Sequence, residues 1–138
     1  MVKKFGKDLS NLTVGVWGLA FKPETDDLRE ASAIDFLHEI IERGAKVKAY
    51  DPIAMPLAKN LFPQEWFAQG ALELVDHQDH ALQDADVLAL MTEWKQFRNP
   101  DFNQVKDLMR GNLILDGRNQ YNPQYLEELG FCYIGIGR

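Results

Sequence analysis

Hydrophobic and polar positions along the 138-residue chain keep switching between two periods, and the switches mark out its elements. Leu12-Thr13-Val14-Gly15-Val16-Trp17-Gly18 is a β-branched run closed by glycine, which predicts a buried strand ending in a turn. The stretch through Phe21-Lys22-Pro23 and Asp26-Asp27-Leu28-Arg29-Glu30 has no period. Pro23 disfavours helix at Lys22, and the crowded charges predict a long surface loop. From Ser32 onward, Ile34, Leu37, Ile40 and Ile41 recur on one helical face, while His38, Glu39, Glu42 and Arg43 fall elsewhere and Gly44 supplies a C-terminal cap. Lys46-Val47-Lys48-Ala49-Tyr50 then alternates at period two until Asp51-Pro52 stops it.

The same grammar continues to the end. Residues 53–61, with Met55, Leu57 and Leu61 apolar, predict a short helix broken at Phe62-Pro63. Glu73-Leu74-Val75 reads as a short strand, and His77 to Leu82 as a helical segment after Asp76. Val87-Leu88-Ala89-Leu90-Met91 is continuously apolar, as a strand covered on both faces of a parallel sheet must be. Phe102, Val105 and Met109 mark a helical face, Leu113 to Asp116 a strand, Asn122 to Leu129 a helix, and Cys132 to Gly137 a last strand. This alternation predicts a doubly wound, Rossmann-like α/β fold, with a mostly parallel sheet and helices on both faces. Residues 1–10 form a polar segment ahead of a domain at 11–138.

Composition narrows the function classes. With 46% hydrophobic and 26% charged residues the chain reads as a soluble globular protein, and no apolar run approaches the roughly 20 residues of a membrane span. A formal charge of −6 argues against a nucleic-acid surface or an anionic membrane face, yet leaves room for a local basic pocket holding one small anion. The single Cys132 excludes an internal disulfide and a four-cysteine zinc site. No apolar segment of secretory type follows Met1-Val2-Lys3-Lys4, so the expected compartment is reducing and cytoplasmic.

Candidate chemistry gathers where strands end. Gly15 and Gly18 close the first strand, with Lys22 in the following loop, at the edge where open α/β sheets place ligands. The full dinucleotide fingerprint is absent, and Asp51 lies well beyond the spacing of about 20 residues expected of a ribose-binding acid. A phosphate-contacting turn and a structural turn both remain open. Lys22 and Arg29 are either two cationic contacts or solvated charges balanced by Glu24, Asp26, Asp27 and Glu30. Asp26 and Asp27 suit helix entry better than a metal. In Asp116-Gly117-Arg118-Asn119, Arg118 offers a guanidinium fork to a phosphate or makes a local contact with Asp116. Glu93 is a candidate acceptor for a ligand hydroxyl and Trp94 a cover for an apolar face, against the plainer role of a tryptophan packing its own loop. His38, His77 and His80 lack metal spacing and read as solvated or capping residues. Cys132 has no base or electropositive neighbour in sequence and reads as structural.

Together, the Gly18-to-Glu30 segment, the Ala49-Tyr50-Asp51-Pro52 turn and the Asp116-Gly117-Arg118-Asn119 turn resemble the C-terminal UDP-binding domain of the UDP-glucose/GDP-mannose dehydrogenase family. The last turn favours the UDP-glucose 6-dehydrogenase branch. The resemblance implies a parent enzyme with an N-terminal Rossmann domain for NAD and a central helical dimerisation region, assembled as a homodimer or higher homo-oligomer. It would oxidise UDP-glucose to UDP-glucuronate for polysaccharide biosynthesis, through an aldehyde and a cysteine-linked thioester. By motif position, Phe21, Lys22 and Arg118 would meet the UDP-sugar. Arg29 would reach NAD held mainly by the N-terminal domain, and Glu93 and Trp94 would line the cleft. No catalytic residue or metal ligand is implied within this chain, whose isolated form is expected to be inactive. The alternatives are the same domain from a UDP-N-acetylmannosamine or GDP-mannose dehydrogenase, and a stand-alone nucleotide-binding or protein-interaction module.

Overall fold

In the computed structural model, residues 9–19, 32–92, 94–118 and 120–135 are described. Phe21, Lys22, Arg29 and Glu93, and the charged loop predicted around Asp26 and Asp27, lie outside the described residues. Six strands, β1 (Thr13–Trp17), β2 (Lys46–Tyr50), β3 (Leu72–Leu74), β4 (Val87–Leu90), β5 (Leu113–Asp116) and β6 (Cys132–Gly135), form one sheet in the order β3-β2-β1-β4-β5-β6. Every pairing is parallel, so the sheet goes beyond the mostly parallel expectation. Parallel neighbours need crossovers. These carry α1 (Ser32–Glu42), α2 (Met55–Leu61), α3 (Gln64–Ala68), α4 (Gln78–Leu82), α5 (Phe102–Leu108) and α6 (Pro123–Glu128), with a 3₁₀ turn at Lys95–Phe97.

Strand side chains point alternately to opposite faces, and each face has its own core. Val14, Val16, Val47, Ala49, Val87, Ala89 and Leu113 pack with Leu37 and Ile40 of α1, Ala58 of α2 and Phe62. Trp17, Leu88, Leu90 and Ile114 face the other way, toward Ala81 and Leu82 of α4, Phe102 and Val105 of α5, and Leu126 of α6. Continuous apolar runs are therefore required in β1 and β4, which sit mid-sheet and are covered twice. Trp17 is a core residue: its ring stacks on Phe97 with centroids 5.0 Å apart, and its Nε1 donates to the Gln78 carbonyl at 2.9 Å. Gly15 is explained by packing as well, because a Cβ there would collide with the Ala81 carbonyl of α4.

The ends of the helices follow the sequence signals. Gly44, at φ +100°, donates to Ile41 O, and Ala45 donates to Ile40 O, both at 3.0 Å, closing α1 as a left-handed glycine cap does. His77 caps α4, its Nδ1 accepting from the Asp79 amide at 3.1 Å. Asp101 caps α5, and Asn122 caps α6 ahead of Pro123. Two elements differ from expectation. Helix α3 forms beyond the Phe62-Pro63 break but has no buried residue, so it leaves no periodic signal. Strand β3 begins and ends one residue earlier than predicted.

At the N-terminal edge of the sheet, Asp86 ties β1 to β4 and to the approach to β5. Its Oδ2 accepts from the Thr13 amide at 2.9 Å, and Arg110 grips both oxygens, Nε to Oδ1 at 2.9 Å and a terminal nitrogen to Oδ2 at 2.6 Å. The Arg110 hydrogen bond is the main cause holding the Asp86 carboxyl below the usual carboxylate range, against an opposing effect of burial. A depressed folded pKa contributes stability above the unfolded value of about 3.9, and the contribution is lost as pH falls through the folded value. Thermal melts from neutral pH into this acid window should therefore show a decline that Asp86→Asn makes shallower. The same variant should melt a few degrees lower at neutral pH, and parallel acid profiles for the two proteins would refute the assignment.

Candidate functional site

Register gathers the strand ends. Trp17 pairs with Tyr50 and Leu90, Leu90 with Asp116, and Asp116 with Gly135, so β1, β2, β4 and β5 stop in one line, level with Gly135 of β6. The loops that begin at Gly18, Asp51, Met91 and Gly117 thus leave from one edge. Chain order reverses between β1 and β4, and ligands of doubly wound sheets sit at such a switch point. The buried polar residues among those described, Asp51, Thr92 and Asp116, all lie at this edge.

Each of the three has a fixed task. Asp51 Oδ2 accepts from the Leu19 amide at 2.8 Å, and its Oδ1 accepts from Ile53 and Ala54 at 2.9 and 2.8 Å. One carboxylate thereby staples the loop after β1 to the turn after β2. That commitment agrees with its spacing, which is wrong for a ribose-binding acid. Thr92 lies against Gly18, whose φ of +96° and lack of a Cβ let the loops after β1 and β4 touch. Asp116 organises the turn after β5: Oδ1 accepts from the Arg118 amide at 3.0 Å, and Oδ2 accepts from the Tyr121 amide at 2.7 Å and the Tyr133 hydroxyl at 2.9 Å. The Tyr121 hydroxyl donates to Phe97 O at 2.6 Å, joining this turn to the loop after β4. Burial foremost, then the nearby Asp116 charge, raises the Tyr121 pKa far above the ordinary tyrosine value, so this hydroxyl keeps its proton.

Arg118 and Trp94 are the sequence-derived site residues that fall among those described. Arg118 is half-buried on the loop leaving β5, and its local contact with Asp116 is made through the backbone amide. Trp94 is buried in the second core, in the loop that leaves β4 at the switch-point edge, as its loop-packing role requires. Its Nε1 and both polar atoms of the Gln120 side chain are buried and without a hydrogen-bond partner among the described residues. Gln120 escaped the sequence reading because nothing local signals burial of a glutamine immediately after a polar turn. Cys132 begins β6 opposite Leu113, at the far end of the sheet from this edge. Among the described residues, no group of three His, Cys, Asp or Glu is placed to hold a metal, and no helix is long and apolar enough to cross a membrane.

Residues 15–123 match the UDP-glucose/GDP-mannose dehydrogenase family, UDP binding domain. The chain is 49% identical over 126 residues to the UDP-glucose 6-dehydrogenase of Pseudomonas aeruginosa, a match covering 91% of this chain and 28% of that protein. Among solved structures, the NDP-N-acetyl-D-galactosaminuronic acid dehydrogenase of Methanosarcina mazei Go1 superposes with a TM-score of 0.78 at 25% identity, over 99% of this chain and 27% of that one. The UDP-D-ManNAc dehydrogenase of Pyrococcus horikoshii gives 0.72 at 26% identity, over 99% and 28% respectively. The chain spans less than a third of the length of these relatives.

The Asp51 staple yields a direct expectation. Asp51→Ala removes the acceptor of three backbone amides and should lower the free energy of unfolding by about 3 kcal/mol. Urea denaturation followed by circular dichroism measures the loss, and a value near zero would show that water replaces the carboxylate.

Proposed function

The chain belongs to the UDP-glucose/GDP-mannose dehydrogenase family as its UDP binding domain, and from that membership we propose that it forms one wall of the UDP-glucose site in an NAD-dependent UDP-glucose 6-dehydrogenase. The observation that carries the reading is the Arg118 turn, anchored on a buried carboxylate at the switch-point edge. A guanidinium presents fixed donors to a diphosphate, and a clamped turn limits the freedom lost on binding. Phe21 and Lys22, by their motif positions, would join Arg118 against the UDP-sugar, with Glu93 and Trp94 lining the cleft. Closing this wall over the substrate orders the sugar and excludes water, a positional contribution to the oxidation.

The described residues do not fit a dinucleotide site of their own. The Gly15-to-Gly18 turn lacks the fingerprint spacing, and Asp51 is committed to backbone amides. NAD accordingly belongs mainly to another domain of the whole enzyme, with Arg29 reaching it across the cleft. The nucleophilic cysteine belongs elsewhere too, since Cys132 sits at the opposite sheet edge. The assembled enzyme would be a cytoplasmic homodimer or higher oligomer that makes UDP-glucuronate for polysaccharide biosynthesis. The likeness to a UDP-D-ManNAc dehydrogenase supports a second reading, in which the same wall meets an N-acetylated sugar.

Two outcomes test the proposal. Calorimetric titration of the chain with UDP-glucose should show binding that Arg118→Ala weakens by about 2 kcal/mol or more while circular dichroism stays unchanged, with Arg118→Lys recovering only part. Unchanged affinity in folded Arg118→Ala would reject the contact, and tighter binding of UDP-N-acetylmannosamine than of UDP-glucose would favour the second reading. Incubated alone with UDP-glucose and NAD, the chain should form no NADH. Turnover proportional to its concentration and abolished by Cys132→Ser would overturn the division of labour.

A further inference from the structure

We propose that Tyr133, through the Asp116 carboxylate that it holds, is a positioning residue for Arg118, so that the edge strand β6 sets how the ligand-facing cation is presented. The inference rests on the reading that Arg118 meets the UDP-sugar. Tyr133 pairs in register with Ile114 and packs against the same core, so its side chain shares a sheet face with Ile114 and, two residues on, Asp116. From there its hydroxyl donates to Asp116 Oδ2 at 2.9 Å. The carbonyl of Tyr121 is the more distant neighbour of that hydroxyl, at 3.5 Å, so the carboxylate is the better acceptor for its single proton.

The geometry makes Asp116 a two-handed clamp. One oxygen takes the Arg118 amide near the start of the turn and the other takes the Tyr121 amide at its end, so the carboxylate orientation fixes the path between them. Rotation of the carboxylate would break both bonds. The Tyr133 hydroxyl opposes that rotation from outside the turn, and the Tyr121 hydroxyl extends the brace to Phe97. A buried chain of this kind, with Asp116 only 1% exposed, rigidifies as a unit. Tyr133 touches no ligand in this scheme. It acts through the direction in which the turn aims Arg118.

Tyr133→Phe removes the donor and keeps the ring. In the folded variant, amide hydrogen exchange at Arg118 and Tyr121 should quicken by about tenfold, with exchange in β1 and β4 unchanged. UDP-glucose binding, measured by calorimetry on the whole chain, should weaken by roughly three- to tenfold, a loss that vanishes when Tyr133→Phe is made on the Arg118→Ala background. Asp116→Asn, which turns one acceptor into a donor, should give the same pattern with a larger loss. If Tyr133→Phe binds as tightly as the parent while Arg118→Ala does not, positioning by Tyr133 is wrong and the ligand role of Arg118 stands. Additive losses in the double variant would likewise overturn it, marking Tyr133 as a general stabiliser. If Arg118→Ala itself binds normally, the reading of the site fails and takes the positioning role with it.

Discussion

A parallel sheet has to be re-entered from the same side by every strand, and this constraint organises the molecule. Strands β1 to β5 each hand the chain to a connection at the C-terminal end, and the register leaves four of those ends, in β1, β2, β4 and β5, level. Loops otherwise remote in sequence, after residues 17, 50, 90 and 116, are brought to one rim without any contact having to be selected for that purpose. Coverage on both faces then makes the central strands uniformly apolar, so polar side chains have their opportunity at the rims, and the fully buried ones among the described residues lie at this one.

Carboxylates serve there as knots. Asp51 and Asp116 each collect backbone amides that would otherwise be stranded where strand becomes loop, and Asp86 does similar work at the opposite rim with Arg110 as counter-ion. The chemical contrast between the rims is informative. Asp86 is gripped by a guanidinium, whereas Asp51 accepts from the amides of Leu19, Ile53 and Ala54, and Asp116 from the amides of Arg118 and Tyr121 and the hydroxyl of Tyr133. The carboxylate at 116 thus shapes its turn through the main chain.

Fold class was legible because its signals are local. The apolar runs of β1, β4 and β5, the alternation in β2 and the helical stripe of α1 can each be read within a dozen residues, and Gly44 and Asn122 punctuate where capping chemistry requires. The helix at Gln64–Ala68 was invisible because it is a single short turn with no fully buried residue, its Trp66 and Phe67 only half-buried against the first core. Gly15 looked like half of a phosphate turn, and only the approach of Ala81, 66 residues later, reveals it as a packing device. The candidate site was legible as a motif and not as a network of contacts. The Asp116-Gly117-Arg118-Asn119 turn announced Arg118, while Tyr121, Tyr133 and Gln120 depend on contacts or burial that no sequence window contains.

The position of Cys132 has a practical side. It is the only thiol in the chain, it is partly exposed, and it opens β6 at the end of the sheet away from the loop rim. Three residue steps along the strand put about 10 Å between it and Gly135, level with the Asp116 turn. A fluorophore, spin label or surface linker attached there would report on or immobilise the domain from behind, leaving the rim free to meet whatever it meets.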